Sequence, residues 1–119
     1  MKNLEQVRAK NALLAARKYV FGGADGGEAV AKKVPAMIRE NGFLAAAAFA
    51  MEKEKGYAEV FDACITHLSD PEIRLAKNEL LADMVEKLSG ATSDRLRLVT
   101  AESLAFLNYL RRFAGNVGN

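Results

Sequence analysis

Four consecutive alanines, Ala45 to Ala48, stand inside an apolar run from Gly42 to Met51. Alanine has the best helix propensity and almost no side-chain bulk. A helix built this way is slim enough for neighbouring backbones to approach closely. The residues just before it punctuate the chain. Pro35 has no amide donor and a fixed φ, so it suits the first turn of a helix better than an interior. Asn41-Gly42 supplies the left-handed cap that ends one. The stretch from Lys33 to Lys53 therefore reads as two helical pieces joined at Asn41-Gly42. The second piece, Phe43 to Met51, is expected to be a buried spine with other helices packed around it.

The rest of the chain follows the same period. Asn3 and Gln6 form a capping box for a first helix, with Leu4, Val7, Ala12, Leu13, Leu14, Ala16 and Val20 as apolar surface. Residues 22–27, four of them glycine, read as a flexible loop. That loop lacks the lysine-serine ending of a phosphate-binding loop, and no strand precedes it. Glu28 to Lys33 begins a short helix that the Val34-Pro35 step bends. Lys53 to Gly56 is a solvated turn. Tyr57, Val60, Phe61, Cys64, Ile65 and Leu68 recur at i, i+3, i+4 and i+7, the clearest amphipathic helix in the sequence. Ser69 with Glu72 reads as a second capping box, with Pro71 in the first turn of a helix carrying Ile73, Ala76, Leu80, Met84 and Leu88. A last helix starts near Thr92-Ser93-Asp94 and runs to Ala114, its core face being Leu96, Val99, Ser103, Phe106, Leu107, Leu110 and Phe113. Residues 115–119 read as a loose tail. No strand pattern of useful length appears. The expectation is an all-α, compact single domain over residues 1–119, a bundle of about five to seven helices.

The chain has 119 residues, enough for one core, and half of them are hydrophobic, which argues against disorder. The ten-residue apolar run is well short of the about 20 that a membrane helix needs. No secretory pattern opens the chain, and the lone Cys64 cannot form an internal disulfide, so the expected location is cytoplasmic, with no membrane partner. Net charge is only +2, but residues 1–40 carry eight Lys/Arg against four Asp/Glu, residues 41–90 five against nine, and residues 91–119 four against two. If the basic ends meet in space, they make one basic face opposite an acidic one, suited to a polyanion or to head-to-tail stacking of copies.

Little in the sequence points to chemistry. Cys64 and His67 make one C-x-x-H pair, with no second pair to complete a zinc site, so no metal site and no cofactor is expected. Cys64 belongs to an apolar stripe and reads as a core thiol. His67 lies beside the stripe and reads as a surface or capping histidine. A Cys/His nucleophile pair is the alternative, but no third group orients the base. Glu79, Asp83 and Glu86 fall on one face of the helix expected there and read as solvated charge. Lys10, Arg17 and Lys18 on the first helix, and Arg111 and Arg112 on the last, are candidate nucleic-acid contacts. Tyr109 lies one turn from Arg112. Tyr109 and Leu104 are candidate protein-interface residues.

Three stretches, LEQVRAKNALLAAR (Leu4–Arg17), KVPAMIRENGFLAAAAF (Lys33–Phe49) and TAESLAFLNYLRRFA (Thr100–Ala114), taken in this order and spacing, resemble the small α-helical subunit of the Cmr complex. This is the fifth-subunit family of the type III-B CRISPR RAMP module. The short Glu52–Gly56 turn suggests a compact member. The resemblance implies a non-catalytic subunit that stacks in several copies into a minor filament beside other Cmr subunits. It also implies help in holding the crRNA–target RNA duplex while another subunit cleaves. Two further readings stand beside it. One is a helical protein–protein scaffold with no direct nucleic-acid contact; the other is a small enzyme using Cys64 and His67.

Overall fold

The computed structural model describes residues 3–21, 27–53 and 56–115. It contains six helices: α1 (Leu4–Lys18), α2 (Glu28–Asn41), α3 (Phe43–Glu52), α4 (Tyr57–Leu68), α5 (Leu81–Ser89) and α6 (Ser93–Phe113). No strand occurs among the described residues. The chain is all-α, as its periodicity implies. Residues 22–26 of the expected loop and 116–119 of the expected tail lie outside the described residues.

Local chemistry sets several of the helix ends. The Asn3 side chain accepts from the Gln6 amide at 2.9 Å, while the Gln6 side chain accepts from the Asn3 amide at 3.0 Å. This reciprocal pair satisfies two of the donors that a helix N-terminus leaves open. Thr92 Oγ1 accepts from the Arg95 amide at 3.1 Å and starts α6. Gly42 stands between α2 and α3 with φ 92° and ψ 159°, a conformation that L side chains rarely adopt. A Cβ there would meet nothing within 4 Å, so the backbone alone requires the glycine.

Four expectations are overturned. Pro35 is interior to α2, which runs unbroken from Glu28 to Asn41. An interior proline costs roughly 3 kcal/mol, because it cannot donate to the carbonyl four residues back. Burial of Ala31, Val34, Pro35 and Ile38 on one face, against α3, α4 and α6, offsets it. The second change concerns 69–80, which is not helical; α5 starts only at Leu81. Asp70, not Ser69, organises this connection. Its Oδ1 accepts from the Glu72 amide at 2.8 Å, and its carbonyl accepts from Ile73 and Arg74 at 2.8 and 2.9 Å. Arg74 then takes φ +54°, which breaks the single turn. Ser69 Oγ turns back to donate to Thr66 O at 2.8 Å. Third, Gly56 is buried rather than solvated. A Cβ on it would sit 1.7 Å from the carbonyl oxygen of Phe21, so only glycine permits this close crossing.

The fourth correction concerns the centre of the molecule. α3 buries one face only, Phe43, Ala46, Ala47 and Ala50, and leaves Ala45, Ala48, Phe49 and Met51 exposed. The inner positions belong to α4 and α6. α4 buries Val60, Phe61, Ala63, Cys64, Ile65, His67 and Leu68. α6 buries Val99, Glu102, Ser103, Phe106, Leu107 and Leu110, and it touches α1, α2 and α4.

Candidate functional site

α1 and α6 lie side by side and antiparallel. Glu5 faces Tyr109, whose hydroxyl donates to Glu5 Oε2 at 3.1 Å, and Arg8 faces Glu102 further back along α6. Between these two helices and α4 sits a chain of polar side chains. Arg8 Nε and Nη2 donate to Glu102 Oε2 and Oε1, each at 2.8 Å, a bidentate pair. His67 Nε2 is 2.9 Å from Glu102 Oε2. Asn11 Nδ2 donates to His67 Nδ1 at 2.9 Å and to Asp70 Oδ2 at 3.0 Å. The five residues tie α1, α4, the 69–80 connection and α6 into one network.

The network fixes the protonation of His67. A carboxylate can only accept, so Asp70 compels Asn11 to present its amide nitrogen. The second proton of that nitrogen then points at Nδ1, which must be the acceptor. Nε2 carries the proton and donates to Glu102. His67 is therefore neutral, and burial pushes its pKa below the ordinary 6.5, against the pull of Glu102 and Asp70. Its ring also stacks on Phe106, with centroids 4.6 Å apart and planes 15° from parallel. Burial raises the Glu102 carboxyl, but hydrogen bonds from Arg8 and His67 outweigh it and leave the pKa below its ordinary 4.5. Burial likewise opposes the net lowering of Asp70, which the Glu72 amide and Asn11 produce.

His67, expected at the surface or as a cap, is thus a buried structural residue. It faces Asn11 and Glu102, and Cys64 is no partner among its hydrogen bonds. Cys64 is a core thiol, as its place in the stripe implied: it is fully buried, and burial pushes its pKa far up. The thiolate that a nucleophile needs is therefore suppressed. Among the described residues no group of three or more His, Cys, Asp or Glu side chains is arranged to hold a metal. Glu79 does not share a helix face with Asp83 and Glu86. It lies outside α5 and pairs with Lys87 at 2.6 Å.

Sequence reasoning missed Arg8, Asn11 and Glu102 as a unit. One signal was available. Glu102 falls on the apolar stripe of α6, three residues after Val99 and four before Phe106, where a carboxylate needs a partner.

The candidate basic residues are outward-facing but do not form one cluster. Lys10, Arg17 and Lys18 are exposed on α1; Arg112 is exposed and Arg111 half-buried at the end of α6. The antiparallel arrangement sets Arg111 and Arg112 near the start of α1. Arg17 lies twelve residues past Glu5, roughly 18 Å further along that helix. The basic ends meet as helices, and the candidate cations spread along the pair, with Arg17 and Lys18 at one end and Arg111 and Arg112 at the other. Lys18 is 5.1 Å from the Tyr19 ring centroid and shares a groove with Asp62 and Glu79. Leu104 and Tyr109 are both half-buried and pack against the core. The large apolar side chains that do face outward are Leu4, Leu14, Val20, Phe49, Met51, Leu80 and Leu98.

These features define an all-α protein whose thiol and imidazole serve packing and whose charge, apart from the Arg8–Glu102 pair, lies mostly on the outside. No described helix is long and apolar enough to cross a membrane. The family model of CRISPR-associated protein (Cas_Cmr5) matches residues 4–117, and the chain belongs to that family, whose members are subunits of the CRISPR Cmr complex. Comparison with curated proteins and with solved structures found no match.

Proposed function

We propose that this protein is a non-catalytic structural subunit of an RNA-guided Cmr effector complex, working in the cytoplasm. It stacks in copies beside the other Cmr subunits and helps hold the crRNA–target RNA duplex. Family membership supplies the setting. The observation that carries the non-catalytic part is the commitment of His67 to Asn11, Glu102 and Phe106, together with the sealed thiol of Cys64. Neither group is left to act on a bound molecule.

Contact with RNA would be independent of sequence. Lys10, Arg17, Lys18, Arg111 and Arg112 would neutralise phosphates, while base pairing in the guide selects the target. Leu104 and Tyr109, half-buried on α6, would anchor the contact with a neighbouring subunit. The test is charge reversal, Arg111→Glu with Arg112→Glu, in the reconstituted complex. Weakened target-RNA binding is the expected result. Unchanged affinity and unchanged assembly would remove these two residues from the interface.

A scaffold without nucleic-acid contact is the second reading. It is favoured by the spread of the candidate cations along the α1–α6 pair and by the exposed Leu4, Leu14 and Leu98, which suit protein neighbours. Under this reading the same double variant leaves RNA affinity alone, while Leu14→Ser or Leu98→Ser impairs assembly.

A further inference from the structure

The 69–80 connection, α5 and the start of α6 enclose a cleft of about 440 Å³. Its floor is aliphatic, with Leu75, Met84 and Leu88. Its rim carries four cations, Arg74, Lys77, Lys87 and Arg95, against a single carboxylate, Glu79, which pairs with Lys87 at 2.6 Å and leaves the other three unmatched at the rim. Summed by segment, residues 41–90 are acidic, yet three of their five basic side chains stand at this one cleft. The fold concentrates positive charge where the sequence average hides it.

Three further observations set this cleft apart from ordinary surface charge. The two arginines are held in place by backbone carbonyls: Arg74 Nε donates to Pro71 O at 2.7 Å, and Arg95 Nη2 donates to Leu75 O at 2.8 Å. Each guanidinium has five N–H donors, so each is oriented by one and keeps others for a ligand. Arg74 also takes φ +54°, a conformation that non-glycine residues adopt at a cost and that gathers at functional sites. Finally, Arg95 lies in the first turn of the 21-residue α6, where the helix dipole disfavours a cation and favours an anion. A bound anion would relieve that repulsion and the mutual repulsion of the rim.

We propose that this cleft is a phosphate-binding site for a nucleotide-sized ligand, with Arg74 and Arg95 gripping the phosphate, Lys77 adding charge, and the aliphatic floor receiving the apolar part. Its volume lies in the range of small-ligand pockets. Planar, oriented guanidinium groups match phosphate oxygens in pairs. The same chemistry can come from a free nucleotide or from one residue of an RNA strand. The cleft shares no residue with the five cations of the previous reading, so either can fail alone.

The test uses the full chain at constant ionic strength, titrated with inorganic pyrophosphate, AMP and a short oligouridylate. The readout is the methyl NMR signals of Leu75, Met84 and Leu88. We expect saturable shifts at these methyls. Affinity should fall about tenfold or more in the Arg74→Gln, Arg95→Gln double variant, which loses charge-assisted hydrogen bonds. It should hold in a Lys10→Gln, Arg17→Gln variant of equal net charge. Saturation by AMP or pyrophosphate would assign a free phosphorylated ligand; saturation by the oligonucleotide alone would assign a strand. Absence of cleft shifts with all three probes would overturn the site. So would shifts of equal affinity in the double variant, checked as folded by its methyl spectrum.

Discussion

Helices α3 and α4 make an instructive pair. α3 is the more apolar in sequence, yet Ala45, Ala48, Phe49 and Met51 face outward. α4 carries Glu59, Asp62, Thr66 and His67, yet seven of its twelve residues are buried. Apolar content therefore did not decide which helix became the centre. α4 is flanked by α1, α2, α3, α5 and α6, whereas α3 packs chiefly on α2, α4 and α5. Partner geometry decided it, and the polar residues of α4 were accommodated by giving His67 its own hydrogen-bonding network.

The largest expected contrast comes from one phenylalanine in each helix. Phe61 in α4 is fully buried against Phe43, with ring centroids 5.4 Å apart. Phe61→Ala should cost about 3–5 kcal/mol in denaturant unfolding. Phe49 in α3 is 37% exposed and contacts Tyr57 and Lys53. Phe49→Ala should cost only about 1 kcal/mol. Equal losses would restore α3 as the spine.

The network offers the next contrast. Glu102→Leu removes the shared partner of Arg8 and His67 and strands both beside α4. A loss of about 2–3 kcal/mol is expected, below the full penalty for a buried pair because Arg8 remains partly solvated. Charge loss at Glu52, the one charged residue of α3, should stay within about 0.5 kcal/mol.

Acid should separate the two regions as well. The unfolded chain protonates His67 near its ordinary pKa of 6.5, whereas the folded protein resists until lower pH. Stability is therefore full above pH 6.5 and falls as pH drops through that value. Glu102 and Asp70, held below their ordinary 4.5 and 3.8, add to the loss below about pH 4.5. A His67→Gln variant should show a flatter stability curve between pH 6.5 and 5; an identical slope would contradict the neutral, buried histidine.

The smallest effect is expected at Ser103, whose buried hydroxyl has no hydrogen-bond partner among the described residues. Ser103→Ala should be neutral or stabilising by up to about 1 kcal/mol, read from the unfolding midpoint. A loss above that range would reveal a partner for the hydroxyl.

What could be read from the sequence was mostly local. The Asn3–Gln6 box, the Asn41-Gly42 stop, the Thr92 start, the α4 stripe and the buried Cys64 all rest on contacts within a few residues. Where neighbours far along the chain decide, the sequence pattern misled. Pro35 stays helical because tertiary burial outweighs its local cost. Ser69-Asp70-Pro71 looks like a helix start, but Arg74 breaks the turn and Leu75 and Ala76 donate back to Leu68 O. His67 reads as outward in the sequence because its partners Asn11 and Glu102 lie 56 and 35 residues away. The cationic cleft was invisible for a related reason: three of its four cations come from residues 41–90, whose summed charge has the opposite sign. The candidate basic residues were found as exposed positions, but the antiparallel α1–α6 pairing, which divides them, could not be read from composition.

The proposed role depends most on whether the outer cations of α1 and α6 contact RNA phosphates. The direct measurement is the salt dependence of target-RNA affinity for Cmr complex reconstituted with wild-type subunit or with Lys10, Arg17, Lys18, Arg111 and Arg112 all changed to Gln. If the five contact phosphates, the variant complex assembles, binds more weakly and has a log–log salt slope shallower by about 0.7 per lost contact. Parallel slopes and equal affinities in two fully assembled complexes would contradict it.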